Sequence, residues 1–294
     1  MIDHTFRLYP KITIITVCYN AGATIENTIK SIINQEYPCL EYIVIDGRSS
    51  DDTVSIINRY SEYIDYFVSE EDHGVYDAMN KGAHLATGDW ICFLNADDIM
   101  AKRVLYNIAD IIRENKDVDA IIGSAYYLKK ENANYNVMLS LPVVNNRTLK
   151  YDQPFSHQAL FIKKRIFDEY GYFADRYKIV ADYDFILRTI YKGRIKYIVT
   201  NDIFALSFAG GISNRIFLMT SFETARCQWE NKLNKLEIVL FFLYKNIKFY
   251  LFRMLETFRL IKFIESFPFI RNKIGYRFVN KQNTEELLNI YGLN

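Results

Sequence analysis

The sequence predicts an α/β fold: a Rossmann-like mixed central sheet flanked by helices, with a C-terminal amphipathic helical tail. Three observations predict it. Apolar strand-like runs alternate four times with helix-periodic segments over about residues 9–118, which implies parallel strands with helices on both faces. After about residue 119 strands follow one another without a regular helix between them, so mixed strands extend the same sheet. From residue 233 to 294 the chain turns basic and apolar. The expected division is a globular domain over 1–232, with halves at about 9–118 and 119–232, and a tail over 233–294.

Each element has its own local reason. "KITIITVCYN" (Lys11 to Asn20) is rich in β-branched residues and ends in a polar turn, the pattern of a buried strand. Ile25, Ile29, Ile32 and Ile33 then recur at helical spacing. "LEYIVIDG" is a second strand ending on Asp46. "SSDDT" is an N-cap signal for a helix carrying Val54, Ile57 and Ile64. "DYFVSEED" reads as a third strand, Gly74 to Ala86 as a helix, and "DWICFLNADD" as a fourth strand. In the second half, "DAIIGSAYYL" and "HQALFIKK" read as strands. "VADYDFILRTIYKG" reads as a helix with Ile179, Tyr183, Ile186, Leu187 and Ile190 on one face.

Composition narrows the class. Half of the 294 residues are hydrophobic, enough for a sizeable core, and a net charge of +1 argues against a disordered chain and against a nucleic-acid partner. Cys18, Cys39, Cys92 and Cys227 form no CxxC pair, so they read as reduced thiols in a cytoplasmic protein. The histidines are scattered and make no zinc motif. No signal peptide is expected, because the first apolar run, Ile12 to Val17, is short and broken by threonine. No stretch reaches the roughly 18 uncharged apolar residues of a membrane span.

In parallel α/β sheets ligands bind at the carboxyl ends of the strands. That rule selects Tyr19 and Asn20, Asp46, Glu70 to Asp72, and Asn95 with Asp97 and Asp98. Neither GxGxxG nor GxxxxGK[ST] is present, so no dinucleotide or Walker loop grips the ligand. "LNADD" sets two like charges side by side, which is unfavourable unless solvent or a cation screens them. It is either a solvated turn or a hard-cation site; Mg²⁺ or Mn²⁺ takes carboxylate, water and phosphate oxygens, often with one or two protein ligands. Asp46 suits a bond to a base or ribose, or a plain turn before Gly47. Tyr19 and Asn20 either stack on and bond a base or simply end a strand. Asp182 and Asp184 admit three readings: a general base, a ligand for acceptor hydroxyls, or complements to a helix dipole. His157 beside Gln158 is a weak signal, since a lone histidine is more often structural. "DHGVYDAMNKG" is an ordinary helix with a glycine end, or a helix whose first turn faces the ligand edge.

Taken in order, "TVCYN", "IVIDGRSSDDT", "EDHGVYDAMNKG", "ATGDWICFLNADD", "SHQALFIKK", "VADYDFILR" and "GGIS" resemble the family 2 glycosyltransferases of bacteria. The likeness is greatest to the branch that builds O-antigen, capsule and other exopolysaccharides, and it covers about residues 9–215. The resemblance implies a GT-A fold, a UDP-linked or other nucleotide-sugar donor, a Mg²⁺ or Mn²⁺ ion, and inversion at the anomeric carbon. The acceptor it implies is a saccharide or a lipid-diphosphate-linked glycan. The first half becomes the nucleotide-sugar half and the second the acceptor half. Residue by residue, it implies that Thr16, Tyr19 and Asn20 line the nucleotide, that Asp46 bonds the base, and that Lys81 approaches the donor. Asn95-Ala96-Asp97 stands where the DxD motif stands, with Asp97 as the metal carboxylate, and Asp182 matches the catalytic base. Asp98, His157, Gln158, Tyr183 and Asp184 are then candidates for the acceptor side. Asn95 replaces the first aspartate of DxD; an amide can bond a ribose but adds no charge against a metal.

Two other classes compete. A catalytically silent sugar-nucleotide or glycan-binding module of the same fold needs neither Asp97 nor Asp182. A nucleotidyltransferase wants a basic Gly-rich loop after the first strand, where "CYNAGATIE" carries no Lys or Arg.

Between Lys235 and Lys281 ten Lys and Arg face three Glu, so a basic tail follows an acidic globular part. Its apolar and aromatic residues, with a cation every few positions, suit a helix lying in an anionic membrane surface. The alternative is a helix packed on the domain or on a second subunit of a homodimer. The membrane reading places the protein peripherally on the inner face of the cytoplasmic membrane.

Overall fold

The computed structural model describes residues 9–131, 134–208, 217–257 and 276–278. In chain order the first half holds β1 (Ile12–Cys18), α1 (Ile25–Ile33), β2 (Leu40–Asp46), α2 (Thr53–Asn58), β3 (Tyr66–Ser69), α3 (Val75–Leu85), β4 (Trp90–Phe93), β5 (Ile99–Met100) and α4 (Val104–Glu114). The second holds β6 (Ala120–Glu131), β7 (Asn134–Ser140), α5 (Asn146–Tyr151), β8 (Leu160–Lys163), α6 (Lys164–Tyr170), α7 (Ala181–Ile186) and β9 (Tyr197–Phe208). After these come α8 (Phe217–Glu230), α9 (Lys235–Thr257) and β10 (Tyr276–Phe278).

β1 to β4 are mutually parallel, as the alternation requires. Across the described residues the sheet runs β10-β7-β6-β8-β4-β1-β2-β3, with β9 parallel to β6 and β5 antiparallel to β9. β8 lies antiparallel between β4 and β6, so the sheet turns mixed at that point. Strand parity divides the core. Ile12, Ile14, Tyr42, Val44, Trp90 and Cys92 pack with α1, α2 and α4 on one face. Ile15, Val17, Ile43, Ile45, Ile91 and Phe93 pack with α3, α6 and α7 on the other. On α3, Gly82 faces Ile15, and a Cβ there would run into the Ile15 side chain, so the "NKG" glycine lets helix and strand approach closely. All four cysteines are buried and free.

Several expectations are corrected in detail. The helix after "SSDDT" ends at Asn58 and leaves Ile64 beyond it. Its first amide is met by Asp51 Oδ1, which accepts from Thr53 N at 3.0 Å, while Asp51 Oδ2 accepts from Gly22 N at 2.9 Å. The third strand is only Tyr66–Ser69, and "LNADD" is not strand: β4 stops at Phe93 and Asp98 N donates to Asn95 O at 3.0 Å, closing a turn. The helix from Ala181 becomes π-helical over Leu187–Lys192. There Thr189 Oγ1 donates to Phe185 O at 2.7 Å and competes with the helical amide for that carbonyl. The expected helical tail is a helix over Lys235–Thr257 but a strand at Tyr276–Phe278, paired antiparallel with β7. "GGIS" and most of residues 258–294 lie outside the described residues.

Both the packed and the exposed face of α9 carry apolar residues. The inner face packs: Ile238 is buried, Phe241 stacks on Tyr151, and Phe249 stacks on Phe217 of α8. The outer face carries Leu236, Leu240, Leu243, Ile247, Leu251 and Met254, all about half exposed or more. At 1.5 Å per residue that stripe is about 27 Å long.

Candidate active site

The register places the carboxyl ends of β1 and β2 level, with Cys18 opposite Asp46, and β3 ends opposite Asp46 at Ser69. Leu94 N bonds Ile15 O at 3.0 Å, so the segment leaving β4 reaches the same edge. A cavity of about 930 Å³ opens there. Its wall includes Tyr19, Asn20, Asp72, Tyr76, Asn95, Asp97, His157 and Asp182. A smaller cleft of about 540 Å³ lies at the opposite edge, around Tyr9, Lys11 and Cys39. Only the first gathers the candidate residues.

The adjacent carboxylates at the end of β4 point opposite ways. Asp97 is exposed on the cavity, whereas Asp98 is 2% exposed. Asp98 Oδ2 accepts from Gln158 Nε2 at 2.7 Å, and its carbonyl accepts from Thr28 Oγ1 at 2.7 Å. Burial and the neighbouring Asp97 push the Asp98 carboxyl well up. The turn therefore does not carry two bare charges on one side. In the same turn Asn95 Oδ1 is buried and has no protein partner among the described residues.

Across the cavity stands Asp182, in the first turn of α7. Its Oδ1 accepts from Tyr76 Oη and from Tyr183 N, both at 2.9 Å. His157 lies between the two sides. Its Nε2 is 3.3 Å from Asn95 Nδ2 and its Nδ1 is 3.6 Å from Asp182 Oδ2. Burial pushes the His157 pKa down against the pull of Asp182 and Asp97, which favours the neutral ring.

The structure does not bring every sequence candidate to the cavity. Thr16 is buried and accepts from Tyr42 Oη at 3.2 Å, on the same side of β1 as Ile12 and Ile14. Asp46 is fully buried and occupied by Ser49 N at 3.0 Å and Ser69 Oγ at 2.6 Å. Lys81 turns back to Glu70 Oε1 and Glu71 O, both at 2.9 Å. Asp184, fully buried, accepts from Arg188 Nε and Asn231 Nδ2, both at 2.8 Å. Tyr183 lines the cavity, but its hydroxyl is committed to Lys150 O at 2.8 Å. Ala96, Asp98 and Gln158 form wall rather than reactive surface, since each is at least nine-tenths buried. Asn20 takes a left-handed φ of 50°, which asparagine tolerates, and its Oδ1 caps Ser50 N at 2.9 Å.

Tyr76 was not singled out by sequence reasoning. The available signal was its place in the first turn of the helix after "DHG", at the ligand edge.

Among the described residues no cluster of three or more His, Cys, Asp or Glu could hold a metal by itself. An exposed Asp97 is nonetheless the kind of single oxygen anchor that Mg²⁺ or Mn²⁺ accepts when a phosphate supplies the remainder.

The profile of Glycosyl transferase family 2 matches residues 13–178. The PGL/p-HBAD biosynthesis glycosyltransferase of Mycobacterium bovis (strain BCG / Pasteur 1173P2) is 31% identical over 183 residues, covering 61% of this chain and 69% of that protein. Among solved structures, S. aureus TarS 1-349 in complex with UDP-GlcNAc superposes with a TM-score of 0.58 at 18% identity, over 81% of this chain and 73% of that one. Mannosyltransferase PcManGT from Pyrobaculum calidifontis, in complex with GDP-Man and Mn²⁺, superposes with a TM-score of 0.55 at 20% identity, over 74% and 63%.

Proposed function

The chain belongs to glycosyl transferase family 2 and has the GT-A fold, and from that premise we propose an inverting, metal-dependent transfer. The donor is a UDP-sugar. The acceptor is a saccharide or lipid-diphosphate-linked glycan of surface polysaccharide synthesis. The observation that carries this reading is the pairing of Asp97 and Asp182 on one cavity, 85 positions apart in sequence and separated by the His157 ring.

The wall charges support it. Asp72, Asp97 and Asp182 outnumber Lys178 on the cavity, so a cation would offset their repulsion of a bound diphosphate. Asp97 would hold Mg²⁺ or Mn²⁺, which when bound offsets the charge growing on the departing nucleoside diphosphate. The exposed Tyr19 ring offers a stacking face for the base. Thr16, Asp46 and Lys81 act one layer behind. Asp46 fixes the turn at Ser49, and Lys81 fixes the loop at Glu70 and Glu71. On the far wall Asp182 takes the proton of the acceptor hydroxyl as that oxygen attacks, and attack opposite the leaving diphosphate inverts the anomeric centre.

The same reading seats the outer stripe of α9 on the anionic inner face of the cytoplasmic membrane, where a lipid-linked acceptor would lie. Charge supports this. Glu237 is paired with Lys150 and Asp152 with Lys245 at 2.9 Å, and Lys248 is exposed beside the apolar stripe. Among the described residues no helix is long and apolar enough to cross a membrane.

The direct test is nucleoside diphosphate release by the purified protein from UDP-GlcNAc, UDP-glucose, UDP-galactose and GDP-mannose, with Mn²⁺ and with excess chelator. Metal-dependent release from one UDP-sugar is expected. Absence of release from every donor would refute the reading.

A further inference from the structure

Asp182 does not offer its two oxygens equally. Oδ1 accepts two hydrogen bonds, from the Tyr76 hydroxyl and the Tyr183 amide, both at 2.9 Å. Oδ2 has neither. Its near neighbour is His157 Nδ1 at 3.6 Å, beyond ordinary hydrogen-bond reach. His157 Nε2 faces the Asn95 amide at 3.3 Å; with that amide oriented so that Nδ2 donates, the neutral ring carries its proton on Nδ1. The gap between Nδ1 and Oδ2 thus opens on the cavity, with lone pairs on one side and an N–H on the other.

Tyr76 adds a second asymmetry. Its hydroxyl has one proton but two acceptors within reach, Asp182 Oδ1 at 2.9 Å and Ile179 O at 2.6 Å. It can serve only one at a time. The ring is 8% exposed and packs on Phe173 with centroids 5.6 Å apart, so the oxygen stays in place and only the proton can turn. Glu223 of α8 also meets this segment, where it accepts from Ile179 N at 2.9 Å and Lys178 N at 3.1 Å. Burial, and Asp182 beside it, push the Tyr76 hydroxyl well above the usual phenol range, so it remains a donor.

We infer that Tyr76 is a positioning residue for Asp182: its hydroxyl, with the Tyr183 amide, pins Oδ1, so that Oδ2 is the oxygen that receives the acceptor's proton. This rests on Asp182 being the base. Before transfer the negative charge of Asp182 draws the Tyr76 proton to Oδ1 at 2.9 Å, against the nearer Ile179 O at 2.6 Å. In the reaction the acceptor O–H breaks, its proton bonds to Oδ2, and its electron pair forms the new bond to the anomeric carbon. The bond from that carbon to the diphosphate breaks, and its pair leaves with the nucleoside diphosphate. Oδ1 is now the carbonyl oxygen of a neutral acid and a weaker acceptor, and the Tyr76 proton turns to Ile179 O. The hydroxyl has a partner in both states, so protonation of the base strands no buried donor.

The test is the cycle of Tyr76→Phe, Asp182→Asn and the double variant, read as UDP release with water as acceptor. The substrate is whichever of UDP-GlcNAc, UDP-glucose and UDP-galactose the wild-type protein turns over. Phe keeps the ring that packs on Phe173, and a melting curve checks that the fold is retained. The expected result is a kcat about tenfold lower in Tyr76→Phe with donor KM within about twofold, a fraction of the roughly 10²–10⁴ that a general base supplies. In the Asp182→Asn background the same change should alter kcat by less than about twofold. A silent Asp182→Asn beside a Tyr76→Phe with wild-type kcat would overturn the role of Tyr76 alone. Equal factors in both backgrounds would overturn it too. An Asp182→Asn near wild-type rate, or no turnover of any donor, would overturn the base assignment beneath it.

Discussion

Asp184→Asn should unfold the protein at lower temperature, whereas Asp182→Asn, two positions away, should not. The Asp184 carboxylate is fully buried and accepts from Arg188 Nε and Asn231 Nδ2, both at 2.8 Å. Arg188 is 23% exposed, and its guanidinium also donates to Gly171 O at 3.2 Å and Tyr172 O at 2.8 Å. The asparagine keeps the shape but removes the charge opposite Arg188. Breaking one side of a buried pair costs about 3–5 kcal/mol, and the partial exposure of Arg188 points to the low end, about 3 kcal/mol. For a chain of this size that corresponds to a fall in Tm of about 6–9 °C. The assay is thermal unfolding by circular dichroism of wild type, Asp184→Asn, Asp182→Asn and Asp184→Asn/Arg188→Met. The double variant should recover part of the loss, with a coupling of at least about 1 kcal/mol. A fall below about 2 °C in Asp184→Asn, or additive losses, would refute the argument and return Asp184 to the candidates for chemistry.

Asp97→Ala should abolish nucleoside diphosphate release while leaving the melting curve unchanged, and excess chelator should do the same to wild type until Mn²⁺ or Mg²⁺ is restored; full activity in chelator is the contrary result. Glu41→Gln should flatten the acid branch of stability. Burial raises the Glu41 carboxyl, but hydrogen bonds from Lys11, Thr13 and Thr87 outweigh it and hold it at about 2. A lowered native pKa stabilises above the unfolded value and is lost as pH falls towards 2, so wild type should exceed the variant by about 2–3 kcal/mol near pH 7 and converge with it in acid. An unchanged gap at low pH in urea titrations would contradict this. Leu240→Glu/Leu243→Glu/Ile247→Glu should release the protein from vesicles of mixed neutral and anionic phospholipid that bind wild type, with no loss of Tm, since these side chains are exposed. Persistent sedimentation of the variant, or a wild-type dimer that the variant dissolves, would assign that face to another occupant.

The parallel half of the fold was legible because its signals are local: β-branched runs, helical spacing at Ile25, Ile29 and Ile32, and polar residues at each strand end. The clustering of Tyr19, Asn20, Asn95 and Asp97 follows from the rule about strand ends alone. What sequence could not give was direction. In a strand one step in register reverses the face, so Thr16 and Asp46 sit near the site in sequence yet are fully buried. Asp97 and Asp98 are chemically the same, and the inward turn of Asp98 is tied to Gln158 and Thr28, 60 and 70 positions away. The bond from Tyr76 to Asp182 spans 106 residues and leaves no periodic trace. Asp184 is the instructive miss, because Arg188 stands four positions on in the same helix and an (i, i+4) pair is visible in sequence.

The inward turn of Asp98 has a kinetic meaning. On the proposed reaction each turnover would end with the loss of a nucleoside diphosphate, and with it whatever that group contributes around Asp97. A surface turn bearing Asp97 alone would then be free to relax, and the next donor would have to order it again, at about 1–2 kcal/mol per backbone residue. Asp98 removes that step. Tied to Gln158 and Thr28 at 2.7 Å, it anchors the turn next to Asp97 through bonds that involve no donor. The ordering is done once, when the chain folds, and every later donor meets a carboxylate already in position.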